Sequence, residues 1–287
     1  MLIIIGFLVV FFSVIGGFMM EGGHLLVLFQ PAEFLIIGGA MIGSIIVSLP
    51  VKTLKLLISQ IKGALGGSPP EKESYTNLLV MLYEIFQVAR KDGLVALESH
   101  VEHPQESPIL SNYPEFLANQ HLLDFFADTM RLIQSGVVPA HDLEALIDTD
   151  LEVHREEVGK PPTALAKVAD SLPGLGIVAA VLGVIITMGA IGGPPEVIGH
   201  KVGAALVGTF LGILLCYGFV GPLATNIESV NFENTQSYQI IKHALMGFHK
   251  GMAPSIAVEL GRRSISSGIR PGFIELEEAC RRSREMR

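Results

Sequence analysis

The chain has 287 residues, 49% of them hydrophobic against 17% charged, with a mean hydropathy of +0.50. That is too apolar for an ordinary soluble domain and points toward a bilayer. Twenty Lys and Arg stand against 28 Asp and Glu, a net charge of −8, so disorder, collagen and nucleic-acid binding are excluded for want of the right composition or of a basic field.

In chain order, the first apolar element is an uncharged run at 2–20 and the second an uncharged run at 34–51. Each is long enough to cross ~30 Å of hydrocarbon as a helix rising ~1.5 Å per residue. The first has no basic segment before it, and the first lysine of the chain is Lys52. It therefore reads as a retained helix, not a cleaved signal peptide. A third run at 171–195 and a fourth at 202–226 also lack Asp, Glu, Lys and Arg. Four such runs predict a polytopic, all-α membrane protein. The expected division is 1–51 for the first two spans, 52–170 for a helical soluble part, 171–226 for the last two spans and 227–287 for a helical tail. The two short connectors hold one basic residue, Lys201, while the other 19 lie at 52–170 or beyond 226. Positive charge is retained on the cytoplasmic side, so Met1, the middle segment and the tail are expected there.

Between 71 and 157 the chain carries 17 acidic and five basic residues, a local balance of −12. Helical periodicity is read in Leu78, Leu79, Leu82, Ile85 and Phe86, in Leu122, Phe125, Phe126, Met130 and Ile133, and in Leu143, Leu146 and Ile147. Breaks are expected at 63–70, Gly93, 104–114, 136–139 and 159–162. Short helices should follow Pro254 and Pro271, the latter with acids early and arginines late, as the helix dipole favours.

No metalloprotease, phosphate-loop or nucleophile-elbow motif occurs, so no enzyme chemistry or cofactor is expected. His100 and His103 read as a solvated surface and no metal is assigned. Cys216 and Cys280 supply neither a disulfide framework nor a thiolate metal site, and a reducing compartment is expected for the soluble parts. None of the four runs has an ionisable group at its centre, which a proton carrier normally needs. In the fourth run Ala204, Gly208, Gly212 and Cys216 recur every four residues, giving a small face that another helix can approach closely. Thr209 beside it reads either as lining an interior path or as bonded back to its own helix. Pro173 and Pro222 read either as hinges or as helix ends. Arg90 and Glu98 flank Gly93, where they either meet a charged partner or form a solvated turn.

Several segments together resemble the MotA family of flagellar motor stator subunits, within the MotA/TolQ/ExbB proton channels. They are Gln30-Pro31-Ala32-Glu33, the stretch from Ala89-Arg90 to Leu97-Glu98, Asp170-Ser171-Leu172-Pro173 with Gly176-Ile177-Val178-Ala179-Ala180, and Val207-Gly208-Thr209-Phe210-Leu211-Gly212-Ile213-Leu214-Leu215. Gly221-Pro222-Leu223-Ala224 and Ile256-Ala257-Val258-Glu259 complete the pattern. The resemblance implies several copies around a dimer of MotB, a one-span partner carrying the membrane aspartate, in the bacterial inner membrane. It also implies contact of Arg90 and Glu98 with the rotor protein FliG, and proton-coupled movement at Pro173 and Pro222. Thr209 and Ala180 would line the channel. Sodium-driven relatives resemble this chain but have Thr at the position of Ala180, and a bare methyl offers no ligand oxygen, so the expected coupling ion is H+. Membrane lipid is an expected partner and nucleic acid is not. The alternatives are an ExbB or TolQ-like proton-channel subunit, which looks to have three spans, and a passive membrane scaffold.

Overall fold

The structure is a computed structural model describing residues 2–66, 71–189 and 191–285. The expected placement of Met1 and the part of the predicted break at 67–70 lie outside them. Every regular element among the described residues is helical. The elements are α1 (Leu2–Met20), α2 (Leu25–Leu28), α3 (Pro31–Ser48), α4 (Val51–Gly66), α5 (Lys72–Asp92), α6 (Glu98–Glu102), α7 (Pro114–Ala118), α8 (Gln120–Ser135), α9 (Ala140–Met188), α10 (Pro195–Leu214), α11 (Gly221–His249), α12 (Pro254–Arg263) and α13 (Phe273–Glu285). They form two compact units, one of residues 1–68 with 156–231, the other of 69–155 with 232–287.

Four helical stretches are long and apolar enough to cross a membrane: Leu2–Met20, Leu25–Ser48, Ala140–Met188 and Pro195–His249. α1 buries none of its residues although almost all are apolar, which suits a helix with lipid as its solvent. The second span begins before the predicted 34–51 run. Pro31 occupies the first helical position, where its missing N–H costs nothing, so Gln30-Pro31-Ala32-Glu33 opens the helix and Glu33 is drawn into the span. At the other end α3 stops at Ser48, ahead of Pro50.

The break expected at 159–162 does not occur. α9 runs unbroken through Gly159, Pro161, Pro162 and Pro173. Pro162 cannot donate to the carbonyl four residues back, which leaves the Val158 oxygen without its helical partner. That oxygen instead accepts from Gln60 Nε2 at 3.0 Å and from Asn231 Nδ2 at 2.7 Å. Side chains from α4 and α11 thus supply what the proline removes. At Pro222 the solution differs. Leu215–Val220 widens into a π-helical stretch immediately before Gly221-Pro222, which makes room for the ring and carries α10 into α11. Neither Pro173 nor Pro222 ends a helix, so the helix-end reading is set aside.

The second unit folds as the periodicity predicts, with one exception. Leu78, Leu79, Leu82, Ile85 and Phe86 of α5 and Leu122, Phe125, Phe126, Met130 and Ile133 of α8 are buried in one core with Tyr238, Ile240, Ile241 and Leu245 of α11. Leu143 and Ile147 join it, but Leu146 is 52% exposed. The inward stripe of α9 runs Leu143, Ile147, Leu151 at four-residue steps, and Leu146 falls at its edge. Phe86 stacks on Phe248 at 4.5 Å between ring centroids. Tyr75 is fully buried, donates its hydroxyl to the Glu233 carbonyl at 3.1 Å, and burial pushes its phenol up to about 12. Gly93 (φ +86°) and Gly136 (φ +65°) adopt left-handed turns that other residues resist, and these end α5 and α8.

His100 is buried, against the solvated reading, whereas His103 is exposed as expected. The reason is Ser107. Its Oγ accepts from the Leu110 and Ile109 amides and lies 2.7 Å from His100 Nδ1, so its hydroxyl proton is free to donate to the imidazole. Burial raises the Cys280 thiol to about 12, so it is an inert core thiol.

On α12, Glu259 accepts from Arg262 Nε at 2.7 Å, from another Arg262 nitrogen at 2.8 Å and from Arg263 Nε at 2.8 Å, while Arg262 also donates to the Pro271 carbonyl at 2.9 Å. The arginine hydrogen bonds hold the Glu259 carboxyl down at about 2. Because the folded value lies below the ordinary one, this stabilisation is complete above about pH 4.5 and is lost as pH falls through about 2. Glu259→Gln is expected to cost about 2 kcal/mol at neutral pH and to flatten this acid limb. Unfolding of the detergent-solubilised protein across pH 2–7 reads both effects, and an unchanged acid limb counts against the network.

Candidate functional site in the membrane unit

In the membrane unit α9 and α10 approach closely where side chains are absent. A Cβ placed on Gly176 of α9 would stand 2.7 Å from the Gly208 carbonyl oxygen and 3.3 Å from Thr209 Cα. One placed on Gly212 would stand 2.5 Å from the Leu172 oxygen and 2.9 Å from Gly176 Cα. Further along, one on Gly183 would meet Ala205 Cβ at 2.7 Å. The small stripe of α10 is therefore the seat of α9, backbone against backbone. Around this crossing Ile37, Leu172, Ala179, Leu211 and Cys216 form a small buried cluster.

Ala180 and Thr209 flank the crossing. Ala180 is in contact range of Gly208, whose notional Cβ would lie 3.1 Å from the Ala180 nitrogen. Both are half-buried, and among the described residues the Thr209 hydroxyl has no hydrogen bond to its own helix, unlike Thr187, which donates to the Gly183 carbonyl at 2.8 Å. The self-bonded reading of Thr209 is thereby set aside. Pro173 lies three residues before Gly176 on α9 and is half-buried, while Pro222 on α11 is exposed.

Glu33 is the residue that sequence reasoning missed. It is 7% exposed, and its Oε2 has no hydrogen-bond partner among the described residues. The same oxygen occupies the space beside Gly208, 2.6 Å from where a Cβ would be. A carboxyl of this chain thus sits inside a span, one residue along α10 from Thr209. The apolar-run criterion starts the span at Phe34 and so excludes it. The available signal was Pro31, which marks a helix start two residues earlier.

Arg90 and Glu98 belong to the other unit. Arg90 is in the last turn of α5 and Glu98 opens α6, on either side of the Gly93 turn. Both are exposed, and neither takes part in an ion pair among the described residues. Leu97 beneath them is fully buried and anchors the turn. No group of three or more His, Cys, Asp or Glu arranged to hold a metal ion occurs among the described residues.

These features define a multi-pass helical membrane protein whose inner helices meet on a glycine face, the architecture of a channel subunit. Residues 4–93 match the Motility protein A N-terminal family and residues 118–239 the MotA/TolQ/ExbB proton channel family. The chain is 45% identical to Motility protein A of Salmonella typhimurium over 98% of its own length and 95% of that protein's. It is 44% identical to Motility protein A of Escherichia coli over the same shares. Its fold is that of the chain in the structure of C. jejuni MotAB, at a TM-score of 0.76 and 20% identity, covering 92% of this chain and 95% of that one. The chain belongs to the Motility protein A family. It is a flagellar stator subunit and not an enzyme, and the ExbB/TolQ-like alternative is not favoured.

Proposed function

We propose that this chain conducts protons across the bacterial inner membrane together with a one-span partner of MotB type and turns the proton-motive force into torque. Several copies surround a partner dimer, with both termini and the 52–170 segment in the cytoplasm. The carrying observation is the glycine crossing of α9 and α10, which sets Ala180 against Gly208 and Gly176 against Thr209, whose hydroxyl is free of its own helix among the described residues. The central acid of the path comes from the partner. Moving one charge through 100 mV releases ~2.3 kcal/mol, enough to bias a modest rearrangement of prolyl helices. Pro173 and Pro222 are the proposed bending points, since a helix lacking a hydrogen bond there deforms at low cost. Arg90 and Glu98 meet complementary charges on the rotor protein FliG.

Proton coupling rests on Ala180, whose methyl cannot ligate a dehydrated sodium ion. The test is expression in a non-motile bacterium lacking only its MotA-like subunit, with the cognate partner supplied. Swimming is expected to return, to be indifferent to sodium and to stop when the proton gradient is collapsed. Swimming that tracks sodium and survives the collapse overturns proton coupling. Paralysis with verified membrane assembly overturns the torque reading.

A further inference from the structure

Beyond the conduction path, the membrane unit carries unpaired positive charge on α4 and α9. From 34 to 66 the chain carries Lys52, Lys55 and Lys62 and no Asp or Glu, in a protein of net charge −8. These three lie on α4, which follows the second span directly and buries Leu57 and Ala64. Two more, Lys160 and Lys167 of α9, line a groove of about 1050 Å³ that is also bounded by Ser44, Ser48, Thr53 and Thr163. All five lysines are exposed, and none is in an ion pair among the described residues. In the other unit Lys72, Lys242 and Lys250 are paired with Glu275, Asp148 and Glu144, whereas Arg90 and Lys91 are in no ion pair among the described residues. Solvent-exposed lysines left unpaired in an acidic chain are free to neutralise an external anion.

We propose that this groove binds the headgroup of an acidic glycerophospholipid of the inner leaflet, a statement that rests on the orientation proposed above. Lys160 and Lys167, two helical turns apart, approach the phosphate from either end. The Ser48 and Thr163 hydroxyls already donate to the Ser44 and Gly159 carbonyls of their own helices, so they present lone pairs to a donor. Glu156 also lines the groove and is an acceptor. That combination suits a headgroup with a phosphate and free glycerol hydroxyls, and it disfavours a bare inorganic anion. Leu49, Pro50 and Val168 provide an apolar wall for the first acyl carbons.

The experiment uses the chain assembled with its co-expressed partner in nanodiscs of phosphatidylcholine doped with phosphatidylglycerol, and counts retained lipids by native mass spectrometry. Phosphatidylglycerol is expected to be retained in preference, and the double variant Lys160→Gln/Lys167→Gln to lower that preference on the order of tenfold. Lys201→Gln, in the opposite connector, is expected to leave it unchanged. Equal retention by the double variant overturns the proposal, as does protection of the groove by inorganic phosphate or glycerol phosphate with no lipid preference. Cross-linking of Ser48→Cys to a neighbouring copy within the assembly overturns it in favour of a subunit contact. Labelling of Lys160→Cys by a membrane-impermeant reagent in whole cells would sink the orientation instead, leaving the mass measurement to judge the groove.

Discussion

Replacing Gly212 with valine is expected to remove most of the protein from the membrane fraction and to lower its unfolding midpoint sharply in detergent. The β-carbon alone would enter the space of the Leu172 carbonyl oxygen at 2.5 Å and of Gly176 Cα at 2.9 Å. Both obstacles are backbone, so no rotamer change relieves them, and the two helices must part. Separation over the Gly176–Gly208–Gly212 contact forfeits its dispersion attraction and opens the small cluster around Ile37 and Leu172. An overpacking cost of about 3 kcal/mol is expected, a large share of the stability of a folded domain. Gly212→Ala should show the same change in weaker form. Gly43→Ala is the control, because nothing lies within 4 Å of its notional Cβ, and it should change stability by less than about 0.5 kcal/mol. Normal abundance and stability for Gly212→Val would mean that the crossing is looser than described. The variant also parts Ala180 from Gly208 and Gly176 from Thr209, so any surviving protein should conduct and swim poorly.

Arg90→Glu carries the second large effect, of the opposite kind: folding is expected to be untouched and motility nearly abolished. Arg90 is exposed and unpaired, so reversing its charge removes no native contact and should alter stability by less than about 0.5 kcal/mol. Its proposed partner is a charged surface of the rotor. A like-charge encounter there costs several kcal/mol and disfavours docking outright. Glu98→Lys should impair swimming in the same manner, and a compensating reversal on the rotor surface should restore a measurable part of it. Swimming speed, with membrane abundance measured in parallel, checks the expectation. Full speed in the Arg90→Glu strain would remove this residue from the rotor contact.

Glu33 and the prolines show how far composition reaches and where it stops. The rule that an acid ends an apolar run placed Glu33 outside the second span, yet packing against Gly208 holds it inside, because a glycine leaves the space a carboxyl needs. The rule that adjacent prolines end a helix failed at Pro161-Pro162. Two amides distant in sequence, Gln60 and Asn231, satisfy the released Val158 carbonyl. Neither compensation is local, so neither could be read from a window of neighbouring residues. His100 failed as a solvated residue for a related reason, the turn that folds Ser107 back onto it.

By itself the sequence determined the solvent of each segment, the number of spans, the buried faces of α5 and α8 and the family. These depend on transfer free energy, helical period and motif, all of which are properties of the chain alone. Only the tertiary structure decided that α9 passes unbroken through three prolines, that Ala180 packs against Gly208 next to Thr209 in sequence, and that a carboxyl lies against Gly208. Those depend on which distant atoms fill a gap or satisfy a carbonyl, and such partners exist only once the helices have packed.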